Sequence, residues 1–123
     1  MAKKRQKLTK AKRQQIHDKT NGRCGYCGCE LKVSEMQIDH IIPLAQNGTN
    51  HDDNLLASCR SCNHRKESAN LESFREQVER FPEVLDRDSA TYRNAVRFGL
   101  VIPNPQPVRF YFEKLEEQAR WSK

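Results

Sequence analysis

Apolar positions are sparse along this chain, and their spacing changes several times; each change predicts an element. Leu8, Ala11 and Ile16 are among the few apolar positions of a basic stretch, which reads as a short helix over residues 9–19, stopped by the Asn21-Gly22 turn. Residues 37–42 read as a short strand ended by Pro43, and residues 46–53, rich in Asn, Gly and Asp, as a loop. Residues 54–58 predict a second strand, and a helix is expected to start near residues 59–62. Farther on, Leu71, Phe74, Val78 and Phe81 fall at helical spacing until Pro82 stops the run. Asp88 or Ser89 is placed to cap a helix bearing Tyr92, Ala95 and Val96, closed by Gly99. Pro103, Pro105 and Pro107 predict a stiff, extended connector. Val108, Phe110 and Phe112 alternate with Arg109 and Tyr111 as in a half-buried strand, and residues 113–121 read as a charged terminal helix. Phe74, Tyr92 and Phe110 are expected in the core. The fold class is small α+β: a hairpin followed by a helix, a ββα unit, with flanking helices.

Such a unit is hard to stabilise by burial alone. The chain has 123 residues, 36% of them hydrophobic and 31% charged. A compact unit of about 50 residues has too thin a core, and a structural metal is a usual remedy. No run of about 18 apolar residues is present, so no membrane-spanning helix is expected. The N-terminus has the charge of a signal peptide without its apolar run. The expected location is therefore the cytoplasm, where thiols stay reduced and bind metal.

The net charge of +6 is unevenly placed. Residues 1–23 hold nine Lys or Arg against one acid, and the remainder holds thirteen against fifteen. This basic arm, with Lys3, Lys4, Arg5, Lys12 and Arg13, suits contact with DNA phosphates; the plainer reading is a solvated tail.

Cysteine spacing carries the chemistry. Cys24/Cys27 and Cys59/Cys62 are two Cys-x-x-Cys pairs, and each can present both sulfurs to one ion from a single turn. Together they supply the four thiolates of a closed structural zinc site, which leaves no position for a substrate water. Cys29 is the fifth thiol; it is placed to compete as a ligand, but reads more simply as a small or exposed residue. Between the pairs lie Asp39-His40 and Asn54, and Asn63 follows the last Cys. These residues suggest a second metal site with a base beside it.

The run Asp39-His40-Ile41-Ile42-Pro43, then Asn54-Leu55-Leu56, then Cys59-x-x-Cys62-Asn63-x-x-Lys66 resembles the HNH endonuclease family, and more narrowly its zinc-stapled, free-standing phage and bacterial members. The likeness covers about residues 20–70. It implies a ββα-metal (His-Me finger) core there; charge and spacing predict the flanks, a basic arm and helix over residues 1–19 and a C-terminal helical extension with a short strand over residues 71–123. It implies a metal-dependent endonuclease that nicks or cuts DNA. His40 would be the general base, Asp39 and Asn63 the ligands of a magnesium or manganese ion, and Asn54 the brace of the loop around His40. His64, beside Asn63, is the alternative ligand, turned about 100° away on a helix. Arg65 and Lys66 are expected at phosphate, His51 exposed in the loop, and His17 on the surface of the basic helix. The resemblance also implies phage DNA packaging as a setting, with terminase or portal proteins as partners. The alternative is a non-catalytic, zinc-ribbon-like nucleic-acid-binding module, which explains the cysteines and the arm but leaves Asp39, His40, Asn54 and Asn63 without a role.

Overall fold

The structure is a computed structural model and describes residues 7–121. Its elements are helix α1 (Lys10–Lys19), strand β1 (Gln37–His40), strand β2 (Leu55–Ser58), and helices α2 (Arg60–Lys66), α3 (Leu71–Glu79), α4 (Phe81–Asp88), α5 (Ala90–Arg97) and α6 (Tyr111–Trp121). The chain divides into two compact units: one runs through Leu71 and resumes at Arg109, and the other is Glu72–Val108.

The first unit is built on a hairpin. β1 and β2 pair antiparallel, with Asp39 opposite Leu56 and His40 opposite Leu55. Side chains alternate across a strand, so these two pairs face opposite sides. β1 is shorter than expected because its chain leaves the ladder after His40. The Ile41 amide donates to the Asn54 carbonyl at 2.9 Å, and the Ile42 amide is taken by the Asn54 side chain at 2.8 Å. β2 is wholly buried. Cys59 then caps α2, its sulfur accepting from the Cys62 amide at 3.4 Å.

α1 starts as predicted, with the Thr9 hydroxyl accepting from the Lys12 amide. Its apolar contribution is one buried residue, Ile16. Its cations also tie it to the unit. Lys19 Nζ donates to the Asp52 and Leu55 carbonyls, both at 3.0 Å, and Arg13 donates to the Val33 and Met36 carbonyls. His17, expected at the surface, is largely covered and bonds the Leu31 carbonyl.

The knuckle at Cys24–Cys27 lies under the hairpin. A Cβ on Gly25 would stand 2.4 Å from Leu56 Cγ, so only glycine allows this approach. The aromatic run near residue 110 completes the packing, and here the structure overturns the predicted strand. The Tyr111 and Phe112 amides donate to the Tyr26 and Gly25 carbonyls at 3.0 and 2.8 Å, and α6 begins at once. Phe110 and Phe112 set their rings edge-on to Tyr26, with centroids 5.3 and 6.1 Å away. Their two-residue spacing reflects this shared partner, not a sheet.

The second unit holds the rest of α3, with α4, α5 and the proline-rich segment. Pro82 does not end helical structure; it sits in the first turn of α4, where a missing N–H is harmless. Ser89 caps α5, and Gly99 follows it with φ +74°. Arg75 reaches the Val108 carbonyl at 2.7 Å, and the Val108 amide meets Glu79 at 2.9 Å. Phe74 is buried as expected, whereas Tyr92 is only half-buried.

Phe110 is 2% exposed, so Phe110→Ala is expected to lower unfolding free energy by about 3–5 kcal/mol. Leu85→Ala, at a site 44% exposed, is expected to stay within about 0.5 kcal/mol. Denaturant titration of both variants checks this; equal losses would show that Phe110 is not part of the core.

Candidate metal and catalytic centres

Four sulfurs converge where the knuckle meets α2. The Sγ atoms of Cys24, Cys27, Cys59 and Cys62 all lie within 4.8 Å of one another. A tetrahedral Zn–S distance of about 2.3 Å implies S···S separations of about 3.8 Å, and Cys27 and Cys59 stand 3.9 Å apart. Backbone amides support the set: those of Tyr26 and Cys59 point at Cys24 Sγ from 3.4 and 3.3 Å. The Cys24 thiol is drawn down to about 4, first by its hydrogen bond with Cys62 and then by amides. Cys27 is pushed up to about 12, chiefly by burial. Without a cation, four packed thiols cannot all ionise; a divalent ion removes that conflict. The residues therefore fit a closed metal site. Cys29 is exposed and stands outside the four.

Asp39 lies on the hairpin face turned toward the knuckle and α2. Its side chain is 2% exposed, and Oδ2 takes two donors: the Lys66 ammonium at 3.0 Å and the Tyr26 hydroxyl. Burial, then the charge of Asp39, pushes the Tyr26 pKa far up, so its hydroxyl stays protonated and donates. Lys66 also donates to the His40 carbonyl at 3.0 Å and lies 5.9 Å from the centre of the Tyr26 ring. The expectation that Lys66 touches phosphate is thereby corrected. It is buried because the carboxylate beneath it needs a counter-charge. Both protein donors fall on one oxygen, which leaves Oδ1 for an added ligand.

A cavity of about 350 Å³ opens between β1 and α2, lined by Asp39, His40, Asn63, His64 and Glu67, among others. Asn63 is half-buried, and its amide nitrogen donates to Gln37 Oε1, so its carbonyl oxygen is the atom left for a cation. His64 lines the same cavity from an exposed position. The structure thus brings Asp39, His40, Asn63 and His64 together. Asn54 stands behind them. Its side chain accepts from the Ile42 amide and donates to the Ile42 and Thr49 carbonyls at 3.0 and 2.8 Å, closing the loop between the strands. His51 is exposed in that loop, as expected.

His40 is 5% exposed, and its Nε2 meets Asn50 Oδ1 at 2.8 Å. A second cavity, of about 320 Å³, is lined by His40, Asn50, Lys7 and Arg13. Asn50 and Tyr26 were not singled out from sequence as site residues. Asn50 lies in a run of loop-forming residues, and nothing in its spacing marks it.

Several expected phosphate contacts are engaged otherwise. Lys12 pairs with Asp52 at 2.8 Å, and its hydrogen bond and charge hold that carboxyl below the usual carboxylate range. Arg13 serves carbonyls, Arg65 remains exposed, and Lys3, Lys4 and Arg5 lie outside the described residues.

Residues 24–69 match the family model described as HNH endonuclease. Over 55 residues the chain is 42% identical to the CRISPR-associated endonuclease Cas9 of Corynebacterium diphtheriae, a match covering 44% of this chain and 5% of that one. The solved Type II-C Cas9 enzyme from Actinomyces naeslundii is similar with a TM-score of 0.51 at 25% identity, covering 61% of this chain and 8% of that one. The chain thus spans only a small part of these relatives.

Removing the Lys66 ammonium would leave the Asp39 carboxylate buried without a counter-charge, at a cost of about 3–5 kcal/mol. Lys66→Met should therefore lower the denaturation midpoint sharply, while Arg65→Ala, on the exposed neighbour, should leave it nearly unchanged. A stable Lys66→Met with weakened DNA binding would mean that Lys66 faces phosphate after all.

Proposed function

With residues 24–69 matching the HNH endonuclease family, we propose that the chain is a divalent-cation-dependent DNA endonuclease. The observation that carries this is the single cavity where Asp39, His40 and Asn63 meet. Zinc is the ion proposed for the four cysteines, with a structural role only, because its coordination is complete. Magnesium or manganese is proposed between Asp39 and Asn63, two hard oxygen donors; bound there, it would polarise the phosphate and stabilise the leaving 3′ oxygen.

In this reading each of the chain's own residues has a part that its geometry supports. His40, as neutral imidazole, takes the proton from the attacking water. Asp39 is held at one oxygen by Lys66 and Tyr26, so its other oxygen is presented in a fixed direction. Asn63 is anchored through its amide nitrogen, which orients its carbonyl. Asn54 keeps the strand-connecting loop closed and with it the wall behind His40. Lys7 and Arg65, with Lys3, Lys4 and Arg5, are the cations proposed for the DNA backbone. The products would carry 5′-phosphate and 3′-hydroxyl ends. The narrower setting, phage packaging beside terminase or portal proteins in the bacterial cytoplasm, rests on the sequence resemblance alone.

Supercoiled plasmid incubated with the protein and magnesium or manganese should become nicked or linear, and EDTA should stop the reaction. His40→Ala is expected to slow cutting by about a hundredfold or more while keeping its zinc. Cys59→Ser should lose zinc and unfold. DNA binding without cation-dependent cutting would instead favour the non-catalytic module. End-labelling that found 3′-phosphate products would overturn the proposed arrangement of base and leaving group.

A further inference from the structure

The orientation of the His40 ring carries an inference that rests on the nuclease reading and deepens it. Asn50 Oδ1 stands 2.8 Å from His40 Nε2. An amide oxygen only accepts, so Nε2 must carry the proton. The other ring nitrogen, Nδ1, is then the one with a lone pair. It is buried and has no hydrogen-bond partner among the described residues. Buried polar atoms without partners are rare in native proteins; at a base, an unshared lone pair is what the chemistry requires. In the reverse tautomer the Nε2 lone pair would face the lone pairs of Asn50, and that contact would repel.

We propose that Asn50 is a positioning residue that holds His40 in its Nε2–H form and so makes Nδ1 the nitrogen that accepts the proton from water. The loop is built to deliver Asn50 to that place. On one side of it, the Thr49 carbonyl is held by Asn54 Nδ2 at 2.8 Å. On the other, the His51 carbonyl accepts from the Asn54 amide at 2.9 Å. Just before it, Asn47 takes a left-handed conformation, with φ +68°. Gly48 follows, where a Cβ would lie 1.8 Å from the Ile42 carbonyl oxygen. Asn54 thus shapes the loop, and Asn50 is the member of the loop that touches the ring.

The test reads the tautomer directly. In the ¹⁵N-labelled full chain, long-range proton–nitrogen correlation separates Nε2–H from Nδ1–H imidazoles, and His40→Ala assigns the signals. The wild type is expected to show His40 as Nε2–H at a pH where the ring is neutral. Asn50→Ala should lose that bias and cut DNA roughly tenfold to a hundredfold more slowly, with zinc content and DNA affinity unchanged. Asn50→Asp retains an acceptor and should restore the Nε2–H pattern. A wild-type Nδ1–H ring, or an Asn50→Ala protein with wild-type tautomer and wild-type cutting, would overturn the proposal. If even the wild type cuts no DNA, the nuclease reading falls, and the tautomer change still decides whether Asn50 positions the ring.

Discussion

Four sulfur atoms close the distance between two parts of the chain that are far apart in sequence. The hairpin has two strands of four residues each, and such a hairpin is marginal on its own in water. α2 is seven residues long, too short to persist alone. Cys24 and Cys27 fix the knuckle, and Cys59 and Cys62 fix the start of α2, so one ion would fasten hairpin, knuckle and helix at a single point. That fastening bears on the cavity between β1 and α2, because Asp39 and Asn63 sit on different elements.

The clamp reaches the cavity through Tyr26. This residue lies between the first two cysteines, its amide points at Cys24 Sγ, and its hydroxyl donates to Asp39. Lys66, at the far end of α2, meets the same carboxylate oxygen. A carboxylate is thus held from two directions, by the knuckle and by the helix that the knuckle fastens. Burial makes this arrangement stringent: an ion pair removed from water is tolerable only when both charges are well met. The aromatic rings of Phe110 and Phe112 extend the same logic to the C-terminal segment by packing on Tyr26.

Much of this was legible in sequence, for identifiable reasons. Cysteine spacing, the Asp39-His40 pair and the caps Ser89 and Gly99 are local signals, and the structure places the elements close to where they indicate. Burial partners are not local. Lys66 looked like a surface cation because nothing in the chain tells that a carboxylate 27 positions earlier lies beneath it. Phe110 and Phe112 alternated like a strand because packing on one ring produces the same two-residue spacing. Lys12, Arg13 and Lys19 read as a charge patch for phosphate, yet the structure gives them carbonyls and Asp52 as partners. A count of charges cannot tell a patch from a set of tethers.

The loop between the strands shows the same limit at the site itself. Asn47, Asn50 and Asn54 are chemically identical, and loop composition treats them alike. Backbone context separates them. Asn47 sits where a left-handed turn favours an Asn. Asn54 uses its carbonyl and its amide together to tie the two ends of the loop. Asn50 has its oxygen on an imidazole. Only the last of these contacts acts directly on the His40 ring, and the loop that carries it passes so close to Ile42 that a Cβ on Gly48 would lie 1.8 Å from the Ile42 carbonyl oxygen. The direction of one buried ring nitrogen is therefore tied to a loop in which Asn54 carries a signal in the sequence and Asn50, the residue on the ring, carries none.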